Sequence, residues 1–141
     1  MLRSVLLSVA ILTAFAVQSQ AADLTIRIIG ATPATGQILL SLIDGSKNWM
    51  NAPTASRTVS IDASGSATAS INANEGTYAI ALIHDANANG KMDTNVLGLP
   101  KEAFGFSNGA RARFGPPTFD SASFVLPATG MTLNIRLDRA K

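Results

Sequence analysis

Cysteine is absent from all 141 residues. That excludes a disulfide frame, a thiol nucleophile and a lipid attached at a cleavage-site cysteine. One histidine, one tryptophan and one tyrosine leave few groups for proton transfer near neutrality or for aromatic stacking. Charge is sparse too: 11 Lys or Arg stand against 9 Asp or Glu, together 14% of the chain. So even a balance excludes the clustered basic face that nucleic acid requires. Arg111 and Arg113 form a local basic pair and read as part of a solvated loop. No G-x-S-x-G elbow occurs, and Ser107 has no base beside it in sequence. Internal repeats and low-complexity tracts are also missing.

The one long apolar run lies at the N-terminus. Arg3, an apolar stretch over residues 5–17, and small residues at Ser19 and Ala21 form the three-part layout of a secretory signal. Cleavage is expected after Ala21, with Ala22 as the alternative. The run is shorter than the roughly 20 residues needed to span a bilayer. The expected product is residues 22–141, one domain without a membrane span, periplasmic or secreted. Loss of Arg3 leaves ten basic residues against nine acidic ones, a net charge of +1.

What remains is strand signal. Leu24, Ile26 and Ile28 alternate with Thr25 and Arg27, the period of a half-buried strand. Runs at 37–44, 57–62, 66–71 and 77–83 follow, separated by Gly, Asn and Ser punctuation. The 77–83 run is apolar on both faces, as a central strand would be. After residues 122–126 and a Pro127–Gly130 turn, a last strand over 131–137 sends Leu133, Ile135 and Leu137 one way. About seven short strands predict an all-β, antiparallel, immunoglobulin-like two-sheet sandwich, and the Gly76-Thr77-Tyr78 entry into the 77–83 run resembles the transthyretin-like and carboxypeptidase-regulatory sandwiches. One long irregular loop, about 85–120, does not fit a minimal sandwich; connections of that length are usually functional. Phe104, Phe106, Phe114 and Phe119 are expected to fold it onto the sandwich. Trp49 reads as a cap on one end of the core rather than as a sugar platform.

Inside that loop, oxygen-bearing side chains fall at alternate positions, Asp85, Asn87 and Asn89, then Gly90 and Asp93. This spacing resembles a D-x-[DN]-x-[DN]-G calcium loop. Calcium takes six to eight oxygens, and alternate residues in a tight turn can bring theirs to one point, with the Lys91 carbonyl supplying a backbone ligand. The bidentate Glu of an EF-hand is replaced by Val96, so any affinity is expected to be weak, about 10⁻⁴ to 10⁻³ M. Glu102 is a candidate to complete the shell. The competing account needs no ion: Asn and Asp at this spacing bond their own backbone in Asx-turns. His84 reads as a strand-end histidine with a local hydrogen bond. A hydrolytic alternative would draw acid and base from His84, Asp85, Asp93 and Glu102.

The strings GTYAIALIHDANANGKMDTN, LGLPKEAFGFSN and FGPPTFDSASF resemble the small secreted bacterial proteins of domain-of-unknown-function family 2141. The resemblance implies an exported β-sandwich and no established activity. The function expected is a non-catalytic binding or envelope module. A calcium-ordered loop would meet a protein or glycan partner there; a purely structural envelope protein is the third option.

Overall fold

Inward Leu24, Ile26 and Ile28 and outward Asp23, Thr25 and Arg27 lie on the first strand of the computed structural model, β1 (Ala22–Ile29). The structure describes residues 20–139. The expected signal peptide, 1–21, therefore lies outside the described residues but for its last two. Against β1 pack β4 (Ala67–Ala73), antiparallel, and β8 (Met131–Arg136), parallel, giving a three-stranded sheet in the order β4-β1-β8.

The second sheet holds β2 (Gln37–Asp44), β3 (Ala55–Ser60), β5 (Gly76–Asp85), β6 (Phe104–Phe106) and β7 (Phe124–Leu126). Its order is β3-β2-β5, with β6 and β7 sharing the far edge of β5. The two inner faces meet through Leu24, Ile26, Ile28 and Ile71 on one side and Ile38, Leu40, Leu42, Ile80 and Leu82 on the other, all fully buried. Side chains of this size each contribute about 1.5–3 kcal/mol on burial, which replaces the missing disulfides.

The all-β sandwich is as expected, with eight strands among the described residues rather than about seven, and with β1 and β8 parallel. The extra strand is β6, inside the supposedly irregular loop. Three residues are too few for alternation to show. Gly105, at its centre, is required by packing: a Cβ there would lie 2.9 Å from the Arg136 carbonyl of β8, with Ile135 and Leu137 close by. Residue 122, read as a strand start, instead ends a one-turn helix, α1 (Phe119–Ala122), capped by Thr118. Among the described residues no helix is long and apolar enough to cross a membrane.

Candidate functional site

Asp85 ends β5 on the face opposite the sandwich core. It is fully buried and has hydrogen-bond partners for both oxygens. Gln37, its cross-strand neighbour on β2, donates Nε2–H to Oδ2 at 2.7 Å. The amides of Asn89 and Gly90 donate at 2.9 and 2.8 Å. Burial pushes the Asp85 carboxyl up, but the bonds from Gln37, Gly90 and Asn89 outweigh it and hold the group below the ordinary aspartate value. Gly36 must be glycine here, because φ is +76° and a Cβ would collide with the Asp85 carbonyl.

Glu102 does return to this loop, by way of the backbone. Its two oxygens accept from the amides of Ala86 and Asp93, each at 3.0 Å, so one carboxylate ties together both ends of residues 86–93. Asp93 in turn accepts from the side-chain amides of Asn87 at 2.7 Å and Asn89 at 2.9 Å. Those two amides, helped by Lys91 and Lys101 nearby, hold its carboxyl below the usual range. The oxygens of Asn87 and Asn89 accept from the Asn89 and Lys91 amides at 3.2 and 3.1 Å. The five residues named from the calcium-type spacing are therefore brought together, with their side chains bonded to one another and to backbone N–H groups. Lys91 takes part through its N–H. Among the described residues no three His, Cys, Asp or Glu side chains cluster as a metal-holding group, so an ion here would have to draw on amide and carbonyl oxygens as well.

His84 points the other way, into the core, with its ring Nε2 2.8 Å from the Thr35 carbonyl. A carbonyl only accepts, so Nε2 carries the proton in this contact. The hydrolytic set is thus divided: His84 faces inward, Asp85 outward, and Glu102 holds amides. Ser107, fully buried, also has a structural task. Between β7, paired at residues 76–78, and β6, paired at 81–83, the Ile80 N–H has no ladder partner. Ser107 Oγ accepts from it at 2.8 Å and donates to the Ala122 carbonyl at 2.5 Å.

The outer face of the five-stranded sheet is the larger finding. Leu39, Ser41 and Ile43 on β2, Ala79, Ala81 and Ile83 on β5, and Phe104 and Phe106 on β6 share it. One end is covered by a second cluster in which Trp49 packs on Phe106 and Phe119, ring centroids 6.0 Å apart in each pair, and bonds the Pro117 carbonyl at 2.8 Å. Trp49 therefore caps this outer cluster, not the end of the sandwich core. The rest of the face opens into a groove of about 1260 Å³. Its walls are residues 92–100 and 111–116, and Phe114, expected to fold down, stands fully exposed at 108%. At the tip of the first wall Asn95 Oδ1 accepts the Leu97 and Leu99 amides at 2.9 and 3.0 Å, which leaves Val96 and Leu97 102% and 79% exposed.

Sequence reasoning missed Gln37, which becomes visible only once β2 is paired with β5. The groove had a signal: apolar residues on both faces of 37–44 and 77–83 mean a sheet that must be covered on both sides.

Fold and site together define an all-β two-sheet sandwich in which buried carboxylates pin a loop beside an apolar groove. The chain belongs to the family described as uncharacterized protein conserved in bacteria (DUF2141), whose model matches residues 26–134. No curated protein and no solved structure matches it significantly.

Proposed function

We propose that this protein is an exported, non-catalytic binding module of the cell envelope that receives an apolar ligand in the groove on the outer face of its five-stranded sheet. One observation carries the reading. A sheet face bearing Leu39, Ala81 and Ile83 is left partly open to solvent between two walls, over residues 92–100 and 111–116, that carry Leu99 and Phe114. Concave, mostly apolar sites of this kind are the usual form of small-ligand pockets. Asp85 and Glu102 serve the groove indirectly, since the loop they tie down leads into the wall that carries Met92 and Leu99. A glycan has less to recommend it, because the single Trp is enclosed by Phe106, Phe119 and Pro117.

Titration with N-phenyl-1-naphthylamine, an uncharged apolar fluorophore, tests this. Saturable enhancement at one site per chain is expected, weakened in Leu99→Asp and Phe114→Ser. Both positions are exposed, so these variants should fold. Failure to saturate, or indifference to both substitutions, would remove the groove from consideration.

Weak calcium binding at Asp85, Asn87, Asn89, Lys91 and Asp93 belongs to the same proposal as an optional tightening of the wall. Turning over the amides of Asn87 and Asn89 would face two oxygens toward Asp93 in place of two donors. It would also break their bonds to the Asn89 and Lys91 amides, each worth about 1 kcal/mol, which keeps the affinity low. Millimolar calcium should then raise the melting temperature of the wild type and not of Asp93→Ala. No shift in the wild type would leave the hydrogen bonds as the sole ordering device.

A further inference from the structure

The charges around the groove narrow the ligand. Its ionisable lining residues are Arg111, Arg113 and Arg139, with Asp138 the single acid. Along residues 110–113, Ala110 and Ala112 pack against the aromatic cluster while Arg111 and Arg113 remain exposed. That alternation turns both arginine side chains away from the cluster, and both residues line the groove. Arg139 is steadied by donating to the Thr32 carbonyl at 3.2 Å. The main chain of Asp138 is bonded in both directions to Phe104, at 3.0 and 2.7 Å, which fixes this side of the rim relative to the sheet.

We propose that the groove binds a long-chain amphiphile with a carboxylate headgroup, the chain lying on the sheet face and the headgroup meeting Arg111 and Arg113. This rests on the groove being a binding site, as argued above. An alkyl chain fits the floor better than a peptide does. The floor is the face of a sheet, not an edge, and β5 already has β2 on one side and β6 and β7 on the other. A peptide laid across Leu39, Ala81 and Ile83 would bring N–H and C=O groups to an apolar surface that offers few partners. An acyl chain brings none. Met50 and Met92 in the groove lining are flexible and polarizable, suited to chains of varied length. At the rim, guanidinium matches a planar carboxylate through paired N–H bonds, a geometry that a lysine could not supply.

Calorimetric titration of the purified protein with decanoate, decyl glucoside and decyltrimethylammonium, each below its micelle threshold, separates the two layers of the argument. Decanoate should bind once per chain, about tenfold more tightly than the neutral amphiphile, with the cation weakest. Each methylene added to the fatty acid should tighten binding about three- to fourfold. In Arg111→Gln/Arg113→Gln the preference for decanoate should vanish while decyl glucoside binding is unchanged. Phe114→Ser should weaken all three. Equal affinity for the three amphiphiles would overturn the carboxylate assignment and leave the groove in place; binding of none of them would overturn the groove itself. Tighter binding of an uncharged apolar decapeptide than of decanoate would overturn the choice of an acyl chain.

Discussion

Glu102 shows how one side chain can set the shape of a loop. Each of its oxygens accepts one amide, from Ala86 and from Asp93, and the residue is almost wholly buried. Glu102→Ala would leave two N–H groups without partners at a cost of about 2 kcal/mol. Glu102→Gln keeps one acceptor oxygen but turns an NH₂ toward the other amide, so it should recover only part of the loss. Urea unfolding gives the ranking, wild type above Gln above Ala. Amide exchange at 86 and 93 assigns the loss to the loop, and the same ranking without faster exchange there would argue against this role. Asp85 makes a comparable set of bonds from the end of β5. Its neighbours were legible early, since the Asp85-Asn87-Asn89-Gly90 spacing announces converging polar groups. The spacing does not say whether those groups converge on a cation or on backbone N–H, because both want the same oxygens at the same intervals. Glu102 was visible as a candidate, and only the fold shows what it holds.

At the scale of elements, β5 is the organising strand, and its outer edge is built in two pieces. β7 pairs with one end, β6 with the other, and Ser107 Oγ fills the gap at Ile80. Ser107→Ala should therefore cost about 1–3 kcal/mol and selectively accelerate exchange of the Ile80 amide. Unchanged exchange there would mean that the gap is satisfied some other way. The long strands were readable because alternation over six or more residues outweighs local noise: β1, β2, β4, β5 and β8 fall close to where their patterns put them. β6 and α1 were not. Each has three or four residues, and each is set by long-range partners, the β8 backbone beneath Gly105 and the Trp49–Phe119 contact. The aromatic residues of the loop foretold folding-down in general but not the exception, Phe114, which stays in solvent at the groove.

For the whole molecule, stability rests on a core without disulfides and on loops held by carboxylates, and that combination has a pH signature. The carboxyls of Asp44, Asp62, Asp85 and Asp93 all lie below the ordinary value of 3.8. Asn48 and Thr54 lower Asp44, and Ser64 and Ser66 lower Asp62. Near pH 3.8 the unfolded chain thus binds more protons than the native one, so stability rises with pH through that region. The contribution is complete above the unfolded values and is lost as pH falls through the depressed native ones. Urea midpoints should then be flat from neutrality down to about pH 5, where these four carboxylates are ionised in both states, and fall steeply below pH 3.8. Asp85→Asn removes one of the four groups. Its acid limb should be shallower than that of the wild type, even though the variant is less stable at neutral pH. Parallel acid limbs would mean that Asp85 titrates alike in the folded and unfolded chain. The loop would then owe its order to the Asx-turns and to the two amides that Glu102 accepts, from Ala86 and Asp93.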